Sequence, residues 1–159
     1  MVLMTSQVVT TDGSALGNPG PAGWAWVCAN GEWASGNQAV GTNNQMELRA
    51  ILEALRHLDA GADGVLIRSD SRYAIDCLTK WVHGWRKRDW KTAGGGEVAN
   101  RELIEEILLE MATRRVRYEW VRGHNGDTLN EQADAHARAA AGRASRRDLG
   151  RWGSGKRPA

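Results

Sequence analysis

The chain has 159 residues, 42% of them hydrophobic and 25% charged, which suits one soluble domain with a proper core. Its two cysteines, Cys28 and Cys77, exclude a disulfide framework, and no apolar run reaches the length of a membrane span. A net charge of +2 excludes a uniformly basic protein, yet Lys80, Arg86, Lys87, Arg88 and Lys91 face only Asp89 within residues 80–91, and residues 143–159 set six cations against Asp148. Charge segregated in this way suits one face that meets phosphates. Both cysteines sit among apolar residues, as free thiols do in a reducing compartment, and Met1-Val2-Leu3-Met4 is too short for a signal peptide. The expected location is the cytoplasm.

Val8-Val9-Thr10-Thr11 is a β-branched run that predicts a strand, stopped by Asp12-Gly13. The glycine-rich turn Gly17-Asn18-Pro19-Gly20-Pro21 follows, then a second strand over 24–28. Asn30-Gly31 predicts a hairpin that returns through 32–35. The period then changes, because Leu48, Ile51, Leu52, Leu55 and Leu58 line one face of a helix over 44–58. Val65-Leu66-Ile67 reads as a buried strand ending at Asp70, and a helix from 71 to about 80 follows. Residues 81–91 are basic and tryptophan-rich, and Gly94-Gly95-Gly96 is expected to be mobile. Asn100 is expected to cap a helix that reaches Met111. A strand over 116–121, a loop Gly123-His124-Asn125-Gly126 and an alanine-rich helix over 128–141 complete the order, the last opened by a Thr128/Glu131 capping box. Residues 143–159 form a basic tail expected to be disordered, leaving one domain over 1–142 with a protrusion at about 80–99. The element order predicts an α/β fold, a mixed sheet with helices on its faces.

Four acids stand out, and each has a local alternative. Asp12-Gly13 is also a turn pair, Asn44-x-x-Glu47 has capping-box spacing, Asp70 stands at an N-cap position, and Asp134 can pair with Arg138 one turn on. Taken together they are two strand-end acids and two helix acids available to meet in one cleft. Such a cluster repels itself and is tolerable only with divalent cations between its members. All-oxygen ligands favour Mg2+ or Mn2+, and no cysteine or histidine cluster suits zinc.

Thr11-Asp12-Gly13-Ser14, Thr42-Asn43-Asn44-Gln45-Met46-Glu47-Leu48, Ser69-Asp70-Ser71-Arg72-Tyr73, Gly123-His124-Asn125-Gly126 and Asn130-Glu131-Gln132-Ala133-Asp134 together resemble type 1 ribonuclease H, in the right order over nearly the whole ordered chain. The resemblance implies a five-stranded mixed sheet flanked by helices and an endoribonuclease that hydrolyses the RNA strand of RNA–DNA hybrids. It implies that Asp12, Glu47, Asp70 and Asp134 hold two Mg2+ ions, with Mn2+ as a substitute, and that products carry 5′-phosphate and 3′-hydroxyl ends. His124 would assist proton transfer or product release.

Asn18, Asn43 and Asn44 match the family's minor-groove contacts, where a 2′-hydroxyl marks the RNA strand. Thr42 and Asn100 match its DNA-phosphate contacts, while Trp81, Trp85, Arg86, Lys87 and Arg88 lie in what resembles its basic protrusion. Val40 stands where several relatives carry an arginine, and Arg72 where some carry a glutamine, so the phosphate pocket is expected to be weaker. A monomer without obligate protein partner and without membrane contact is expected. A DNA-cutting nuclease of the same superfamily and an inactive hybrid-binding module are the rival readings. The Asn43-Asn44 pair speaks against the first, and the complete set of acids with His124 against the second.

Overall fold

The computed structural model describes residues 7–58, 64–123 and 126–156. Strands β1 (Gln7–Ala15), β2 (Gly20–Cys28) and β3 (Glu32–Gly41) form an antiparallel meander. Helix α1 (Asn43–His57) leads to β4 (Val65–Ser69), which pairs in parallel with the free side of β1. One helical stretch then runs from α2 (Arg72–Asp76) through a π-helical turn at Cys77–Trp81 into α3 (Val82–Lys87). Helix α4 (Arg101–Ala112), strand β5 (Val116–Trp120), helix α5 (Thr128–Ser145) and strand β6 (Arg151–Lys156) follow. The sheet order is β5-β4-β1-β2-β3-β6, so the fold is the expected mixed α/β arrangement with one strand more than the five expected.

Two glycines set how closely the helices lie on the sheet. A Cβ on Gly13 would fall 2.4 Å from the Glu47 amide nitrogen, and one on Gly23 would fall 2.4 Å from the Ala137 carbonyl oxygen. Gly23 pairs with Ser14, the neighbour of Gly13, and successive residues of a strand face opposite ways. Helices α1 and α5 therefore cover opposite faces. Beneath α1 and α4 lies the core of Val9, Trp24, Trp26, Leu48, Ile51, Leu55, Ile67, Ile104 and Ile107. Each large side chain buried there contributes roughly 1.5–3 kcal/mol.

Four helix starts differ from expectation. The N-cap of α1 is Thr42, whose Oγ1 accepts from the Gln45 amide at 3.0 Å, so Glu47 has no capping duty. Asp127, not Thr128, caps α5 by accepting from the Asn130 amide at 3.1 Å. Asn100 does precede α4, but in the left-handed region, and its Nδ2 donates to the Tyr73 hydroxyl at 3.0 Å instead of capping. At α2 the N-cap is Ser71 and not Asp70, its Oγ accepting from the Ala74 amide at 3.0 Å. Short polar residues stand side by side at the starts of α1, α2 and α5, and any could accept the first free amides. The glycine run at 94–96 closes a turn in which the Thr92 amide donates to Gly96.

The tail also departs from the expected disorder. Residues 143–145 extend α5, and β6 adds to the edge of β3. Asn37 anchors its approach, donating to the Asp148 and Ala140 carbonyls at 2.9 Å and accepting from the Gly150 amide at 2.7 Å. Trp33 then lies across the glycines of β6, since a Cβ on Gly153 would meet its ring at 2.5 Å. Main-chain pairing on an open edge and one covered indole replace the apolar alternation that this segment lacks. Truncation after Asp148 is expected to lower the melting temperature by roughly 2–8 °C, the effect of about 1–2 kcal/mol, as read by circular dichroism. No described helix is long and apolar enough to cross a membrane.

Candidate metal centre

Thr11 pairs in parallel with Ser69, so Asp12 and Asp70, one residue further on, stand side by side where β4 ends; β1 itself does not stop at Gly13 as expected but runs on to Ala15, paired with β2. This is the end of a parallel strand pair at which α/β sheets bind ligands. Gly13 supplies the third acid by letting the α1 backbone settle against β1 at Met46 and Glu47. Asp12, Glu47 and Asp70 each offer a carboxylate oxygen within 4.8 Å of the others, with Asp12 only 4% and Glu47 only 8% exposed. Asp134 is half-buried on α5 and stands outside that tight group. Its charge nevertheless reaches Asp12, while its Oδ2 pairs with the exposed Arg138 at 3.3 Å as the spacing predicted.

Burial, then the charges of Asp70 and Asp134, push the Asp12 carboxyl up to about 8, against the opposing pull of contacts with Glu47 and the Gly13 amide. The Gly13 amide donates to Asp12 Oδ1 at 3.0 Å. Glu47 is held well above the usual carboxylate range by burial, and after that by Asp12 and Asp70. Its Oε2 is buried and accepts no hydrogen bond among the described residues. A buried oxygen without a donor, among acids that resist ionisation, fits a hard dication, which would satisfy that oxygen and offset the repulsion. The donor set is all oxygen, as Mg2+ or Mn2+ requires.

Around Asp70 the structure brings together Gly123 and Arg72, both within the matched motifs, and Trp120, which no motif singles out. A Cβ on Gly123 would lie 2.7 Å from Asp70 Oδ2, so the Gly123 backbone lies directly against the carboxylate. Trp120 donates its indole N–H to the Asp70 carbonyl at 3.1 Å, and Arg72 lies 4.0 Å over the Trp120 ring. His124 and Asn125 lie outside the described residues. Gly123 carried a sequence signal as part of its motif, but it read equally as a loop residue.

The residues matched to substrate contacts divide into groups. Asn18 Oδ1 accepts from the Asn43 amide at 3.1 Å and Asn43 Oδ1 from the Ala15 amide at 2.9 Å, which ties the β1–β2 turn to the start of α1; Asn44 is exposed beside them. Thr42 serves as the α1 cap, and a cleft of about 400 Å3 opens beside Asn100, lined also by Gln38, Gln45, Arg49 and Arg101. None of the four acids lines it. Val40 is 64% exposed. On the protrusion Trp85 packs against the core while Trp81 remains 43% exposed, their rings 6.1 Å apart, and Arg86, Lys87 and Arg88 are exposed.

The profile of the RNase H family matches residues 4–142. A ribonuclease H of Tropheryma whipplei (strain Twist) is 48% identical over 143 residues, covering 88% of this chain and 87% of its own. One from Xanthomonas oryzae pv. oryzae (strain MAFF 311018) is 46% identical over 138 residues, covering 85% and 91%. Among solved structures, LC9-RNase H1, described as a type 1 RNase H with the type 2 active-site motif, superposes with a TM-score of 0.80 at 30% identity, covering 99% of this chain and 80% of its own.

Proposed function

The chain belongs to the RNase H family, and from that premise we propose that it is an endoribonuclease that hydrolyses the RNA strand of RNA–DNA hybrids with two Mg2+ ions, leaving 5′-phosphate and 3′-hydroxyl ends. The observation that carries this reading is the buried group of Asp12, Glu47 and Asp70 with its unsatisfied Glu47 oxygen. Asp12, Glu47, Asp70 and Asp134 would hold the ions, and Mn2+ would substitute. When bound, such a pair lowers the pKa of a water nucleophile and offsets charge on the phosphate. The chain's own part is to present four carboxylates in a water-poor cleft and to give up their protons as the ions enter. His124, the residue that follows Gly123 in sequence, would pass a proton to the leaving oxygen or speed product release.

Asn18, Asn43 and Asn44 would read the RNA strand through its 2′-hydroxyls, and their shared hydrogen bonds hold two of them in fixed relation. Thr42 and Asn100 would take a DNA phosphate. Arg72, held over Trp120, would add a cation beside Asp70. On the protrusion, Trp81 is the ring free to meet nucleic acid and Trp85 its support, with Arg86, Lys87 and Arg88 adding sequence-independent attraction. A monomer acting in the cytoplasm without a protein partner fits this reading.

Replacing Arg86, Lys87 and Arg88 together by alanine is expected to raise KM about tenfold or more at moderate salt. The slope of log KM against log salt should fall by about 2–3, with kcat unchanged. Steady-state cleavage over a salt series checks this. The function itself is tested by incubating matched RNA–DNA, RNA–RNA and DNA–DNA duplexes with Mg2+, with and without chelator, and analysing product ends. Cleavage confined to the RNA of the hybrid, lost with chelator, is the expected result. Cutting of DNA would instead favour a DNA nuclease of the same superfamily.

A further inference from the structure

Arg68 lies on β4 two residues before Asp70, outside every motif discussed above. It pairs with Thr10, which shares with Asp12 the face that α5 covers. Its guanidinium spans two carboxylates: Nε donates to Glu119 Oε1 on β5 at 3.1 Å, and the terminal NH2 donates to Asp127 Oδ2 at 2.7 Å. The side chain is 22% exposed, so this is a partly sheltered contact, one charge-assisted hydrogen bond to each carboxylate. Asp127 is at the same time the N-cap of α5, using Oδ1 for the Asn130 amide. Two separate duties thus meet on one carboxylate, which the Asn130 amide foremost, and Arg68 with it, hold below the usual range.

Asp134 is seven residues beyond Asp127, two turns along the same side of α5. The rest of the buried face of α5 is Asn130 and the alanines Ala133, Ala137, Ala140, Ala141 and Ala144, against the bare backbone of Gly23, while Asn37 and Trp33, the latter stacked on His136, hold the later turns to β3. Small side chains allow close approach, but they offer few ridges and grooves to fix a helix along its axis. A directional ion pair at its first turn does fix it. We propose that Arg68 is a positioning residue that pins α5 to β4 and so sets how far Asp134 reaches toward Asp12 and Asp70. The proposal rests on the reading of Asp134 as a metal-holding acid. It explains why arginine suits this position: lysine offers one point charge and cannot span both carboxylates.

Calorimetric titration of the metal-free, full-length chain with Mn2+, without substrate, tests this. Arg68→Gln is expected to weaken Mn2+ binding about tenfold, the low end of the effect of outer-shell partners. Asp127→Asn keeps a competent cap but drops the ion pair, and is expected to fall in the same range. Arg68→Lys should fall between wild type and Arg68→Gln, and Glu119→Gln should bind as wild type, since Glu119 does not touch α5. Melting curves of each variant establish that it is folded during the titration, and Asp127→Asn and Arg68→Lys carry the test should Arg68→Gln not fold. In an Asp134→Asn background, adding Arg68→Gln should weaken binding no further. Wild-type affinity in Arg68→Gln while Asp134→Asn alone is weakened overturns the role of Arg68 only. A full further loss on combining the two also overturns it. Wild-type affinity in Asp134→Asn alone removes the metal-holding reading of Asp134, and the proposal with it.

Discussion

Asp12→Asn is expected to abolish cleavage, by at least about a thousandfold, while making the metal-free protein more stable. The two effects have one origin. Asp12 titrates near 8 in the folded chain, against 3.8 for an ordinary aspartate, so the native state holds a proton that the unfolded state releases. Stability is therefore complete below about pH 4, declines as the pH rises toward about 8, and levels off above that. Asparagine carries no charge to bury and also relieves Glu47 and Asp70 of a like neighbour. The variant should gain about 2 kcal/mol at pH 8, a rise in melting temperature of roughly 4–8 °C, with no gain at pH 4. Thermal melts at the two pH values, with chelator, together with single-turnover cleavage in Mg2+, check both halves. A variant that still cleaves, or that is less stable than wild type at pH 8, contradicts the assignment.

Gly13→Ala should be almost as damaging without touching a charge. The added methyl would lie 2.4 Å from both the Glu47 amide and the Met46 carbonyl carbon, and 2.7 Å from Met46 Cβ. These are mostly backbone atoms at the start of a packed helix, so the strain cannot be relieved by turning a side chain. Moving α1 outward carries Glu47 away from Asp12 and Asp70 and opens the core at Met46, Leu48 and Ile51. The expected outcome is a loss of about 2–3 kcal/mol in stability. Cleavage should fall roughly a hundredfold even where the protein remains folded, since a displacement of about 1 Å at a reacting centre has that effect. Denaturant unfolding and single-turnover rates at saturating Mg2+ measure the two separately. Wild-type rates in a stably folded Gly13→Ala would show that the approach of α1 to β1 does not set the site.

Much of this arrangement could be read from residue order because the signals were strong and local. The β-branched run at 8–11, the Asn30-Gly31 turn and the 3.6-residue period of Leu48, Ile51, Leu52 and Leu55 each specify an element by themselves, and the mixed sheet follows from their order. The tight meeting of Asp12, Glu47 and Asp70 was legible only as a matched set of motifs, since each acid alone had an ordinary local explanation. The structure sorts those explanations: Thr42 takes the capping duty from Glu47, whereas the Asp134–Arg138 pair does form. What stayed hidden depends on contacts distant in sequence. Strand β6 has no alternating pattern, and its order comes from the β3 edge, Asn37 and Trp33, more than a hundred residues earlier. Arg68 is one cation among twenty-one lysines and arginines, and only the fold brings Asp127 and Glu119 to it. Gly123 read as loop chemistry, because nothing in its neighbours reveals that Asp70 lies beneath it.

Every role assigned above depends on acids from β1, α1 and the end of β4 sharing a divalent cation. Anomalous diffraction from crystals of the full chain grown with Mn2+ tests it most directly. A Mn2+ peak bonded to the carboxylates of Asp12, Glu47 and Asp70 is the expected result. Peaks only at surface acids, with those three carboxylates bonded to one another and holding no ion at saturating Mn2+, would contradict it.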